Sequence, residues 1–135
     1  MIHVIMGLKG SGKTKQLIDS IHETLATANG DVVCIEYGKQ LTYDVNYKVR
    51  LVDSQEYAIS NPDLLKGFLS GLHAGNFDIT NVYIDNLYKT IGTDRAAGEE
   101  FLLWCADFAK INNMEITITV SDDPALASEA VRAFL

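Results

Sequence analysis

The stretch that most limits what this chain can fold into lies near its start, Ile2 to Thr14, and reads Ile-His-Val-Ile-Met-Gly-Leu-Lys-Gly-Ser-Gly-Lys-Thr. Ile2 to Met6 is short, mostly apolar and rich in β-branched residues, which suits a strand. Gln16 to Ala28 has helical periodicity, with Leu17, Ile18, Ile21 and Leu25 on one face. Glycines 7, 10 and 12 fall between the two. A strand that passes to a helix within a few residues, through glycines, predicts an α/β protein whose first helix packs back on its sheet.

The last eight residues of that stretch, Gly7 to Thr14, fit the pattern G-x-x-x-x-G-K-[ST] at every fixed position. Glycine has no Cβ, so the backbone can turn tightly and lay successive N–H groups around a phosphate. The loop ends at a helix N-terminus, where unpaired N–H groups and the dipole favour an anion. Lys13 is expected to reach the β- and γ-phosphates, and the Thr14 hydroxyl to ligate Mg²⁺. The nucleotide-phosphate contacts are thereby assigned to Gly7, Lys9, Gly10, Ser11, Gly12, Lys13, Thr14 and Lys15.

The rest of the chain alternates strand and helix signals. Asn29-Gly30 ends the first helix, with Gly30 available as a left-handed cap. Val32 to Ile35 is the continuous apolar run of a parallel strand buried on both faces. Strand, helix and strand make a βαβ unit, whose crossover is expected to be right-handed. Gly38 to Lys48 reads as a loop or irregular hairpin, flanked or occupied by Tyr37, Tyr43 and Tyr47. These tyrosines either cap the sheet edge or stack on a base or partner. A short strand follows at Val49 to Val52, then a helical turn capped by Asp53 or Ser54.

Asn61-Pro62 marks a helix start, Asn as N-cap and Pro at the first helical position. Its apolar stripe is Leu64, Leu65, Phe68, Leu69 and Leu72. Asn81 to Asp85 is an apolar strand ending in a carboxylate that suits Mg²⁺. Thr90 to Asp94 reads as a polar loop, with Thr93 or Asp94 capping a helix buried through Phe101, Leu102, Cys105, Phe108 and Ala109. Trp104 lies off that face, at a boundary or a subunit contact. Glu115 to Val120 is the last strand, and Asp123-Pro124 starts a terminal helix.

The length of 135 residues implies one domain spanning 1–135. A net charge of −7 argues against broad nucleic-acid or membrane binding, which needs clustered Lys and Arg. No apolar run approaches the ~20 residues that span a bilayer, and no signal peptide is apparent. A cytoplasmic protein is expected. Cys34 and Cys105 lie far apart in apolar stretches and read as buried, reduced thiols. His3, His22 and His73 lack metal-ligand spacing and read as structural or surface residues.

Gly7-Leu8-Lys9-Gly10-Ser11-Gly12-Lys13-Thr14 together with Val82-Tyr83-Ile84-Asp85 looks like the Walker A and Walker B motifs of the P-loop NTPase superfamily. Over its whole length the chain also resembles small bacterial ATP-binding proteins that carry the label twitching motility protein PilT. The resemblance implies a three-layer α/β/α fold with a mainly parallel sheet of about five strands. It also implies a minimal or truncated core of the RecA, AAA+ and thymidine-kinase-like branch, in which a polar residue such as Ser121 often ends the strand after Walker B. ATP and Mg²⁺ are the implied cofactors, held by Lys13 and the loop, and by Thr14 and Asp85.

Hydrolysing members of that branch usually carry a glutamate directly after the Walker B aspartate; here the position is Asn86. An amide orients water but accepts a proton poorly, so hydrolysis is expected to be slow or partner-stimulated. Glu36 is a substitute base, and Lys13, Asn86 and Glu36 form the expected catalytic set. Arg95 reads either as an arginine finger across a subunit contact or as a solvated helix residue. No strand follows Val120, so the phosphate-loop side is expected to be thinly covered, leaving room for a homo-oligomeric or protein partner. Two other functions compete with an ATPase: a nucleotide-dependent switch or assembly module, supported by Asn86, and a nucleoside-type kinase. The kinase needs an arginine-bearing lid, and only Arg50, Arg95 and Arg132 are present. Without an N-K-x-D motif, ATP is favoured over GTP by default.

Overall fold

The computed structural model describes residues 1–135. It contains β1 (Ile2–Gly7), α1 (Lys13–Thr27), β2 (Asp31–Glu36), β3 (Arg50–Asp53), α2 (Pro62–Gly75), β4 (Ile79–Ile84), α3 (Leu87–Ile91), α4 (Arg95–Ile111), β5 (Glu115–Ser121) and α5 (Glu129–Arg132). The five strands form one sheet in the order β1-β5-β4-β2-β3, and every pairing is parallel. β1 and β2 flank α1 in sequence but are not neighbours, because β5 and β4 lie between them. That insertion brings the end of β4, with Asp85, and the end of β5, with Thr119 and Ser121, beside the loop that leaves β1.

Side-chain alternation divides the core into two clusters, one on each face of the sheet. The larger holds Val4, Ile35, Val82, Ile84, Ile116 and Ile118 against α2, α4 and α5 through Leu65, Leu69, Phe101, Leu102 and Val131. The smaller packs Val32, Cys34 and Tyr83 under Leu17 and Ile21 of α1 and under Leu41, Val45 and Val49 of the loop after β2. Tyr83 is buried there, its hydroxyl 2.6 Å from Thr24 Oγ1. On the α1 face, a single helix and one loop cover the sheet. Helices on both faces of a parallel sheet give the three-layer α/β architecture. No helix is long and apolar enough to cross a membrane.

Several local expectations change. Gly30 is not a left-handed cap, since its φ is not positive. It is needed because a Cβ there would collide with the Asp78 carbonyl oxygen and the Thr80 side chain. Of the loop and hairpin readings for the segment between β2 and β3, the turns found there match the loop. Tyr43 and Tyr47 are 98% and 90% exposed, so neither caps the sheet edge. Leu64 is exposed, and Leu65 and Leu69 are the buried residues of the α2 stripe.

Leu87–Ile91, running into the expected polar loop, is helical. The terminal helix is split into a 3₁₀ turn at Pro124–Leu126, capped by Asp123, and a short α5. Trp104 is half-buried at the boundary, stacked on Phe108 with ring centroids 4.9 Å apart. Both cysteines are free and buried, and burial raises both thiol pKa values above the ordinary range.

Candidate phosphate and cation site

The site is built at the carboxyl ends of β1, β5 and β4, where open α/β sheets carry their ligand crevices. Gly10 and Gly12 hold φ of +83° and +85°, the left-handed region that glycine enters without steric cost. A Cβ on either would meet nothing within 4 Å, so no neighbouring atoms crowd the loop at these two positions. Gly7 is close-packed instead: a Cβ there would sit 2.5 Å from Ser11 Oγ. The Gly7 carbonyl accepts the Asp122 N–H at 3.1 Å, which ties the start of the loop to the end of β5.

α1 begins at Lys13 with no side chain capping its first turn. Its unpaired N–H groups and the positive end of its dipole therefore face the cavity. The cavity has a volume of about 370 Å³ and no hydrophobic lining; Lys9, Gly10, Gly12, Lys13, Thr14, Lys15, Asp85, Asn86, Thr119 and Ser121 surround it. Three lysines face one carboxylate there, in a protein whose net charge is −7. Lys13 is only 8% exposed. Its ammonium donates to the Leu8 carbonyl at 3.0 Å and to Ser11 Oγ at 3.4 Å, and it pairs with no carboxylate. A buried ammonium held by neutral acceptors alone is under-compensated, and an anion in the cavity would correct that.

Asp85 lies one residue past β4. The Thr14 hydroxyl donates toward its two oxygens at 3.3 and 3.4 Å, across 71 positions of sequence. One carboxylate beside one hydroxyl is a hard-oxygen donor pair suited to Mg²⁺, which completes its shell with waters and phosphate oxygens. The chain has no cluster of three or more His, Cys, Asp or Glu that would form a cage for a metal. Thr119 Oγ donates to Asp85 Oδ1 at 2.6 Å and accepts the Asn86 N–H at 2.7 Å. Asn86 sits at φ 62°, ψ 64°, a strained conformation that Asn tolerates better than most residues.

The structure brings most of the expected residues together. Ser11 supports the loop from outside the cavity lining, and Lys15 lines the cavity while pairing with Asp19 at 3.1 Å. Glu36 is placed elsewhere. Its side chain turns onto its own loop and accepts the N–H groups of Gln40 at 2.9 Å and Leu41 at 3.3 Å. Burial raises its pKa above the ordinary carboxylate value, and the charges of Asp85 and Asp53 add to that, while the two N–H groups oppose it.

Arg95 is an exposed helix residue, as one of the two readings expected, but it is ion-paired rather than a free finger. Its Nε and Nη2 bind Asp122 at 2.8 and 2.9 Å, and the Tyr88 hydroxyl donates to the same carboxylate at 2.9 Å. Those Arg95 bonds hold the Asp122 carboxyl well below the usual range, and burial pushes the Tyr88 phenol up to about 12. The cluster ties the end of β5 to α3 and α4.

Sequence reasoning missed the roles of Thr119, Asp122 and Tyr88. The available signal was Thr117-x-Thr119-x-Ser121, a polar alternation inside a strand that is otherwise apolar and buried. No protein-family model matches this chain, and no curated protein sequence matches it significantly.

Proposed function

We propose that this chain is a Mg²⁺-dependent ATP-binding protein of the P-loop NTPase superfamily, with slow or partner-stimulated hydrolysis. The observation that carries the reading is the buried Lys13 ammonium, without a carboxylate partner, beside an open glycine loop and an uncapped helix start. Lys13 and the loop N–H groups bind the phosphates, with Lys9 and Lys15 adding positive charge at the mouth. Thr14 and Asp85 hold Mg²⁺, which when bound neutralises charge on the phosphate oxygens. The strand order, with Asp85 and Ser121 beside the loop from β1, supports the placement in this superfamily.

Asn86 lines the cavity and orients water through its amide without accepting a proton well. Glu36 would have to leave two backbone N–H groups to serve as base. The only carboxylate lining the cavity, Asp85, is already engaged by Thr14 and Thr119. That shortage of a base favours, as a second reading, a nucleotide-dependent switch or assembly module. No arginine lines the cavity, which weighs against a kinase.

ADP release by the purified protein, with and without Mg²⁺, separates the first reading from the second. Slow Mg²⁺-dependent turnover that disappears in Lys13→Ala is expected. Turnover unaffected by Lys13→Ala would overturn the site assignment.

A further inference from the structure

Thr119 occupies an unusual place for a strand residue. It is 1% exposed, yet its hydroxyl serves two consecutive residues of the neighbouring chain segment. The proton goes to Asp85 Oδ1 at 2.6 Å, and a lone pair takes the Asn86 N–H at 2.7 Å. The β4–β5 ladder has its last pair at Ile84 and Ile118, so backbone pairing with β5 no longer fixes Asp85 or Asn86. The Thr119 side chain continues that pairing by one step. Thr117, two residues earlier on the same face, is also buried but makes no side-chain hydrogen bond to this turn.

The two oxygens of Asp85 therefore differ. Oδ1 carries the short bond from Thr119, whereas Oδ2 is approached only by the Thr14 hydroxyl at 3.3 Å. Mg²⁺ demands near-octahedral geometry and takes carboxylates through one oxygen. Ca²⁺ accepts six to eight ligands and often takes both. We infer that Thr119 is a positioning residue that presents Asp85 to the cation through one oxygen and so favours Mg²⁺ over Ca²⁺ at the nucleotide site. The inference rests on the nucleotide-binding reading, but its geometric half does not. Without the hydroxyl, Oδ1 is released, the carboxylate can rotate, and Asn86 loses the acceptor that helps hold its left-handed turn.

The test uses Thr119→Val, which removes the hydroxyl at similar size, with Thr119→Ser as rescue and Thr117→Val as control. In the ligand-free protein, amide exchange at Asn86 should speed up at least about tenfold in Thr119→Val and return to normal in Thr119→Ser. In calorimetric titrations, the ATP affinity supported by Mg²⁺ should fall about 10–100-fold in Thr119→Val, as expected when the group orienting a metal ligand is removed. The affinity supported by Ca²⁺ should stay within about threefold, because a two-oxygen mode is then open. Thr117→Val should behave as the parent. If Thr119→Val does not fold, Thr119→Ala replaces it with the same expectations.

An unchanged Mg²⁺-over-Ca²⁺ preference in the hydroxyl-free variant, or loss of preference also in Thr119→Ser, overturns the inference. If the parent protein binds ATP with neither cation, the nucleotide reading and the cation preference fall together. Protection of Asn86 then decides alone whether Thr119 sets this turn.

Discussion

Asp85 and Glu36 stand at the ends of neighbouring parallel strands, with Ile84 paired to Ile35 just before them. Both come after apolar runs, and from sequence either passes for a strand-end carboxylate that works on a ligand. The backbone beyond each carboxylate separates them. After Glu36 the chain turns at Gly38, with φ +103°, and sends the N–H groups of Gln40 and Leu41 back to the carboxylate. After Asp85 it enters a left-handed turn at Asn86 and runs into α3, so no local N–H group reaches back. Asp85 meets hydroxyls from α1 and β5 instead and stays on an open cavity. Glu36 is held by its own loop, whereas Asp85 is met by distant hydroxyls on an open cavity, and the proposed cation role rests on that difference.

The comparison breaks most visibly under paired substitutions. Asp85→Asn should weaken Mg²⁺-supported ATP binding by more than the about 10–100-fold typical of groups that only support a ligand, with little change in the denaturant midpoint. Glu36→Ala should do the reverse. It leaves the buried Leu41 N–H without an acceptor, at a cost of about 1–3 kcal/mol in unfolding free energy, while ATP affinity holds. Parallel titration and urea unfolding of both variants check this. A Glu36 variant that loses binding and keeps its stability would place Glu36 back in the chemistry.

Acid behaviour separates two carboxylates by sign. Asp122 is held below the usual range by Arg95, so it adds stability that is complete above about pH 4 and fades as pH falls below that. Glu36 is raised by burial, so its ionised form is disfavoured in the fold. Its contribution improves as pH falls through the raised value toward about 4.3, the ordinary glutamate value. Urea midpoints at pH 7, 5 and 3 should show Asp122→Asn flattening the loss below about pH 4. Glu36→Gln should remove the gain at the higher step.

The smallest effect is expected on the loop that Glu36 holds. Tyr43→Ala and Tyr47→Ala should each change unfolding free energy by no more than about 0.5 kcal/mol, since both rings stand in solvent. A larger loss by urea titration would mean that the rings pack on the protein.

Much of this molecule is legible in its sequence, for identifiable reasons. The glycine loop, the Asn61 and Asp94 caps and the apolar runs of β2 and β4 are local signals, and local signals survive folding. The strand-end position of Asp85 is legible because an apolar run and a terminal carboxylate coincide in five residues. Strand order is not, since nothing in β1 says that β5 and β4 will separate it from β2. Gly30 misleads because its reason is a neighbour 48 positions away, the carbonyl of Asp78, and not its own φ. Thr119 and the Arg95–Asp122–Tyr88 cluster depend on contacts between residues 27 to 34 apart in sequence, which no window of sequence contains.

The central claim is that the cavity beside Lys13 binds nucleotide phosphates with Mg²⁺, and calorimetric titration of the whole chain with ATP, GTP and their diphosphates tests it most directly. Binding of ATP well below the millimolar range, tighter with Mg²⁺ than without and lost in Lys13→Ala, is the predicted result. Absence of binding by both triphosphates below about 1 mM with Mg²⁺ present, weaker than about −4 kcal/mol, would contradict it.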